Sequence, residues 1–260
     1  MDTLKYNFSN VSLLITHYNR SSSLEKLLST FKNLHCFFRE IVVSDDGSRP
    51  EHLAHLKQIK QFYDFKLILS EVNKGLGNNL NKGQDAITSE FTLYVQEDFI
   101  PTVEFAPNFK NALAMMSSNK ELDVVRFYAY VKYPYLKPYK DGFSKMVIKP
   151  WYTDYMKIYY YSDHPHLRRS NFLNKFGRYA ENVKGDRMEY RMCVSFIQSQ
   201  GKGLFFDNFK SLFIQENSEI EPSTMSRKNW TQTKNPVISM VRYVYRQLKY
   251  NYDIWLYKRN

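Results

Sequence analysis

Residues 91–98 read Phe-Thr-Leu-Tyr-Val-Gln-Glu-Asp, an apolar run that stops at two adjacent carboxylates. A buried strand that delivers acids to its exposed C-terminal end is how an open α/β sheet builds a site for a cation and a phosphorylated ligand. Two earlier runs have the same form. Residues 11–16 lead into His17-Tyr18-Asn19-Arg20, and residues 40–44 lead into Asp45-Asp46-Gly47-Ser48. Between them, Leu24, Leu27, Leu28 and Phe31, then Leu53, Leu56 and Ile59, recur at helical spacing. A strand over 65–69 and a helix over 76–87 continue the alternation. The pattern predicts an α/β fold with a Rossmann-like, mostly parallel central sheet flanked by helices.

After Asp98 the rhythm changes. Helices are expected over 112–116, 171–176 and 189–198, and strands over 124–131, 204–206 and 212–214. The aromatic, Pro-punctuated stretch 133–163 reads as loops and short strands laid over the sheet, being far too rich in Tyr and Trp for disorder. From Pro236, Val237, Val241, Val244, Leu248 and Trp255 oppose Arg242, Arg246 and Lys249. That is a basic amphipathic helix over 236–260, distinct from a main domain over 1–235.

Composition narrows the class of partner. The net charge of +11 favours a polyanionic neighbour, and 17% aromatic residues suit flat polar ligands as well as a core. No zinc finger or RNP motif is present and much of the charge lies in the tail, so nucleic acid is not the expected partner. Cys36 and Cys193 are too few for a disulfide framework, which points to a reducing compartment. Residues 1–10 lack a signal-peptide core, and no run approaches the roughly 18 apolar residues that span a bilayer. A cytoplasmic protein, peripheral on the inner face of the cell membrane if the terminal helix binds lipid, is the expectation.

Three short motifs carry candidate chemistry. Asp45-Asp46-Gly47-Ser48 reads either as a simple Asp-Gly turn or as a strand-end acid pair able to accept from a nucleobase N–H or a ribose hydroxyl. Asn73-Lys74-Gly75-Leu76-Gly77 opens a helix, where glycine permits close approach of a ligand and the helix N-terminus favours anions. It fits neither a Walker loop nor a dinucleotide fingerprint. In Gln96-Glu97-Asp98, one or two carboxylates suffice for a divalent cation, because phosphate oxygens and waters complete its shell.

Taken together, residues 11–20, Asp45-Asp46-Gly47-Ser48, Asn73-Lys74-Gly75 and Gln96-Glu97-Asp98 resemble glycosyltransferase family 2, over residues 10 to about 100 and more loosely beyond. The resemblance implies a GT-A fold, a nucleotide-sugar donor with a UDP-sugar favoured, Mg²⁺ or Mn²⁺, and inversion at the anomeric carbon. It also divides the domain into a nucleotide-sugar-binding half, 10–100, and an acceptor-binding half, 101–235. It assigns donor contacts to Thr16, Tyr18, Arg20, Asp45, Asp46, Asn73, Gly75 and Glu97, and the metal to Asp98, although Gln96 stands where the family motif has its first Asp. The family's general base, at the opening of a helix about a dozen residues before a glycine, falls on Glu189 by spacing from Gly201. Tyr190 replaces the second acid of that pair. Asp186 is the reserve and Glu181 a distant third.

The implied acceptor is a saccharide or lipid-linked saccharide, as in bacterial surface polysaccharide synthesis, with Arg168 and Arg169 placed to meet an acceptor phosphate. His164 and His166 read as loop or core residues. Residues 213–218 lack the His that many family members carry after the late strand, so no role is transferred there. The terminal helix is expected either on an anionic membrane surface or against the catalytic domain or a second subunit of a homodimer. The rival activities are a nucleotidyltransferase, whose glycine- and arginine-rich phosphate loop is missing, and a degenerate, non-catalytic nucleotide-sugar-binding relative.

Overall fold

The computed structural model describes residues 4–149, 152–216 and 236–256. Strand β1 (Tyr6–His17) lies parallel between β2 (Cys36–Asp45) and β4 (Phe91–Gln96), and β3 (Lys66–Ile68) pairs with the outer side of β2. Helices α1 (Ser21–Asn33), α2 (Pro50–Ile59) and α3 (Leu76–Asp85) make the crossovers. Both faces of this sheet are buried, as parallel crossovers require. Leu13 and Ile15 enter one apolar cluster with Leu24, Leu28 and Phe31 of α1, while Leu14 enters the other with Leu80 of α3. The strict two-residue alternation along β1 therefore feeds two cores.

The remaining elements are β5 (Phe99–Pro101), α4 (Phe105–Ser118), β6 (Val124–Arg126), β7 (Leu136–Lys140), β8 (Phe143–Met146), a 3₁₀ turn (Tyr155–Tyr159), β9 (His166–Arg169), α5 (Phe172–Phe176), α6 (Gly185–Gln198), β10 (Gly203–Phe206), β11 (Phe213–Gln215) and α7 (Pro236–Trp255). Among the described residues the main sheet has nine strands in the order β3-β2-β1-β4-β9-β6-β10-β8-β7, and β11 pairs with β5 in a second, small sheet. The mostly parallel α/β expectation holds. Three details differ. The strand expected over 124–131 stops at Arg126. The aromatic stretch contributes the β7–β8 hairpin to the sheet edge and does not lie over it. Helix α6 begins at Gly185, one turn before the expected 189.

Strand β9 was hidden by its charge. It runs antiparallel between β4 and β6, and Arg168 at its centre is fully buried, donating to Gln84 Oε1 (2.7 Å) and to the Tyr179 hydroxyl. Arg169 donates to the carbonyls of Met116, Asn119 and Leu122, closing the end of α4. Both arginines are thus held within the fold, which corrects the expectation that they meet an acceptor phosphate. His166 is a core residue: burial first, then the Arg168 charge, pulls its pKa well below the usual range.

Helix α7 packs against the domain, one of its expected placements. Its polar stripe is turned toward the domain, where Tyr190 Oη donates to Asp253 (2.5 Å) and Lys157 Nζ donates to Asn251 Oδ1 (2.6 Å). Val241, Leu248 and Trp255 point outward, 65%, 68% and 59% exposed. No helix of the described residues is long and apolar enough to cross a membrane. Lys258 and Arg259 of the expected helix lie outside the described residues, as do Asn217, Ser218 and the approach to α7.

The turn after β2 is sterically committed. Gly47 has φ +71°, and a Cβ there would lie 2.4 Å from the Val72 carbonyl carbon and 2.7 Å from the Asn73 nitrogen. Gly47→Ala is expected to destabilise the fold by about 1–3 kcal/mol, the cost of a strained backbone that cannot relax. Chemical denaturation measures this, and a change below about 0.5 kcal/mol, the scatter of ordinary surface substitutions, contradicts it.

Candidate active site

The ends of β1 and β2 meet beneath the C-terminal edge of the sheet. His17 pairs in register with Asp45, and its buried imidazole donates from Nδ1 to Asp45 Oδ2 (2.7 Å) while Nε2 accepts the Arg20 N–H (3.3 Å). That pattern is the neutral Nδ1–H tautomer. Asp45 also accepts from the Ser48 N–H (3.0 Å) and the Ser48 hydroxyl. Burial alone would raise the Asp45 pKa, but the hydrogen bonds from His17 and Ser48 outweigh it and hold the carboxylate below its usual range. Asp45 is fully buried and absent from the cavity wall. It fixes the cavity floor, which corrects its expected role as a direct donor contact.

Asp46 faces the other way. It accepts the N–H groups of Lys74 (2.9 Å) and Gly75 (2.8 Å), so it locks the 73–75 loop to the β2 turn. Those two amides are therefore committed to a protein carboxylate, not presented to a ligand. Burial raises the Asp46 pKa against the pull of the same amides and of Lys82. Asn73 supports the loop from within, its Oδ1 accepting the Gly75 N–H (3.0 Å).

Beyond this floor lies a cavity of about 2170 Å³, and Thr16, Tyr18, Arg20, Asp46, Asn73, Gly75, Glu97 and Asp98 all line it. Asp98 is the most constrained of them. Its Oδ2 lies 3.1 Å from Arg20 Nη1 and accepts from Gln215 Nε2 (2.9 Å), whereas its buried Oδ1 has no partner among the described residues. Gln215 is oriented in turn by the Tyr130 hydroxyl (2.8 Å). A buried carboxylate oxygen without a partner is a costly arrangement unless something binds it. Among the described residues no three His, Cys, Asp or Glu side chains cluster to hold a cation unaided. The donor set therefore fits an ion completed by phosphate oxygens and water, as Mg²⁺ and Mn²⁺ prefer.

A second acid group lines the same cavity. Glu189, one turn into α6, accepts the Asp163 N–H (3.2 Å), and the two carboxyl side chains are hydrogen-bonded to each other. Burial, then the Glu189 charge, drives the Asp163 pKa well above the usual range, with Asp186 adding to it. Asp163 is thus the protonated partner and donates to Glu189. Asp186 lies exposed in the first turn of α6, also on the cavity. Glu181 is spoken for: its two oxygens accept from Asn78 (2.9 Å) and Asn81 (2.8 Å), which lowers its pKa. Asp163 and Gln215 escape sequence reasoning. Asp163 stands in an irregular loop with no motif around it, and Gln215 carries no charge, its only signal being its position at the end of the late strand.

Comparisons with known proteins point to one family. The model of glycosyl transferase family 2 matches residues 12–177. A poly-beta-1,6-N-acetyl-D-glucosamine synthase of Staphylococcus epidermidis is 30% identical over 90 residues, 35% of this chain and 22% of that protein. A cholesterol galactosyltransferase of Borreliella burgdorferi is 26% identical over 121 residues, 46% of this chain and 33% of that protein. The chain thus spans about a fifth to a third of the length of the curated relatives it matches. Among solved structures, S. aureus TarS 1-349 in complex with UDP-GlcNAc superposes with a TM-score of 0.59 at 16% identity, covering 93% of this chain and 72% of that one. The mannosyltransferase PcManGT from Pyrobaculum calidifontis, in complex with GDP-Man and Mn²⁺, gives 0.54 at 13% identity over 84% of this chain and 59% of that one. At these identities the structural matches establish the fold, which is that of GT-A enzymes.

The acid pair has a measurable signature. Because the folded-state pKa of Asp163 is raised above its unfolded value, the stability it contributes is full below about pH 4 and drains away as pH rises through the folded value. Asn cannot titrate and still donates to Glu189. Asp163→Asn should therefore gain melting temperature relative to the parent chain as pH is raised from about 4 to about 8. Thermal melts across that range decide it, and a difference that stays flat with pH contradicts the pairing.

Proposed function

The chain belongs to glycosyl transferase family 2, and from that premise we propose that it is a metal-dependent, inverting glycosyltransferase. It moves a sugar from a nucleotide-sugar donor to a saccharide or lipid-linked saccharide, in surface polysaccharide synthesis. The observation that carries this is the meeting of Asp98, with its open Oδ1, and Glu189, with its neutral partner Asp163, on one continuous cavity. The nucleotide sugars held by the two structural neighbours, UDP-GlcNAc and GDP-Man, support the donor class. The Asp-Asp-Gly-Ser turn and the 73–75 loop border the nucleoside end, with Thr16, Tyr18 and Glu97 as the remaining donor contacts.

Asp98 Oδ1 would hold Mg²⁺ or Mn²⁺, with Glu97 contacting it through water or meeting the sugar. The chemistry such a cation supplies when bound is neutralisation of charge on the departing diphosphate. Arg20 and Gln215 occupy Oδ2 and so leave Oδ1 for the ion. Glu189 faces the acceptor side and takes the proton from the attacking hydroxyl, which requires it to be ionised. Asp163 serves that requirement by keeping the shared proton on itself. Displacement from the face opposite the leaving group inverts the anomeric centre. The apolar face of α7 would rest on a bilayer, which fits a lipid-linked acceptor, but by apolar contact alone because its cations turn inward.

Asp98→Asn keeps the size and hydrogen bonding of the side chain and removes its charge. Release of UDP from a panel of UDP-sugars with Mn²⁺ should fall at least about a hundredfold in a variant that still unfolds cooperatively. Glu189→Gln should lower transfer to an acceptor by about 10²–10⁴-fold. Near-parent turnover by either folded variant contradicts the assignment of that residue.

A further inference from the structure

Helix α7 packs the wrong way round for an ordinary surface helix, which buries its apolar stripe and leaves its charges in water. Here Val241, Val244, Leu248 and Trp255 are exposed, while Arg242, Arg246 and Lys249 are half-buried and line the cavity. Lys249 is satisfied by Asp253. Arg246 lies over the Tyr155 ring, 4.5 Å from its centroid, and makes no ion pair among the described residues. From α6, Arg187 and Arg191 reach the same cavity at i and i+4, also without an ion pair among the described residues. This wall adjoins the acid pair. The Tyr159 hydroxyl, its pKa raised by burial and then by Glu189, also feels Arg246.

Cations gathered from two helices on one cavity wall raise the local concentration of anions, and the planar forks of arginine match phosphate oxygens two at a time. The proposed function places the donor diphosphate at Asp98 of the sheet edge, whereas these cations stand on α6 and α7 with Glu189. We propose that Arg187, Arg191, Arg242 and Arg246 form a phosphate subsite on the acceptor side. The acceptor is accordingly a phosphate ester whose sugar hydroxyl is delivered to Glu189 while its phosphate is held between α6 and α7. This rests on the transferase assignment and specifies its acceptor class. The phosphate belongs either to a lipid at a membrane surface or to a soluble ester.

The test uses the full chain with its donor half filled by UDP and Mn²⁺. Calorimetric titration with glycerol 3-phosphate is run beside flotation with phosphatidylcholine vesicles containing or lacking phosphatidic acid. The comparison variants are Arg242→Gln/Arg246→Gln and Arg187→Gln/Arg191→Gln. The second pair is exposed on α6, so its folding is not at stake. Saturable glycerol 3-phosphate binding, weakened about tenfold or more in both double variants, supports a subsite for soluble esters. A preference for phosphatidic acid vesicles that both variants lose supports the same subsite with a lipid phosphate. Phosphate binding and vesicle preference that match the parent in either variant, or that are absent from the parent, overturn the proposal. Failure of UDP to bind the parent counts against the donor assignment, and the phosphate titrations still decide the subsite.

Discussion

Thr16 of β1 stands in register with Ser44 of β2 on one side and Gln96 of β4 on the other. That double alignment sets everything at the C-terminal edge. It places His17 opposite Asp45, and it starts the chain of residues 97–98 level with Arg20. A slip of one residue would exchange Leu13 with Leu14 between two different cores and separate His17 from its acid. The site is therefore a consequence of strand register. The buried His17–Asp45 pair and the three donors on Asp45 then stiffen the floor, so the cavity wall need not supply its own rigidity.

On that floor the two halves of the cavity do different electrostatic work. The half proposed for the donor gathers Asp46, Glu97 and Asp98, with Arg20 already committed to Asp98, and leaves one buried carboxylate oxygen without a partner among the described residues. The half proposed for the acceptor gathers cations from α6 and α7 around Glu189 and Asp163, the latter's carboxyl held toward its neutral form by burial and by Glu189. The acid proposed to bind a cation and the acid proposed to accept a proton are thus set apart by their surroundings. Asp98 has a guanidinium and an amide on one oxygen, whereas Glu189 has another carboxyl.

What was legible in the sequence was legible for a physical reason. Strands β1, β2 and β4 are buried on both faces, so they read as continuous apolar runs, and their polar ends stand out sharply. Strand β9 reads as His-Leu-Arg-Arg, yet it is central, because Tyr179 and Gln84 satisfy Arg168 from α3 and the segment after α5. No local pattern announces partners so distant in the chain. The same limit hid Asp163, whose role exists only because α6 brings Glu189 beside it, and Gln215, which needs the β5–β11 pairing to reach Asp98. Periodicity correctly gave α7 two faces. It did not tell which face turns inward, since that depends on the cavity and on Tyr190, Tyr155 and Lys157 around it.

The central claim is that the open oxygen of Asp98 is where a cation meets the donor diphosphate. Crystals grown with UDP and Mn²⁺, measured at the manganese absorption edge, test it most directly. The account predicts an anomalous peak within coordinating distance of Asp98 Oδ1 and of a diphosphate oxygen, with Arg20 and Gln215 still on Oδ2. Bound UDP with manganese elsewhere, or with Asp98 Oδ1 touching neither ion nor its water, would contradict it.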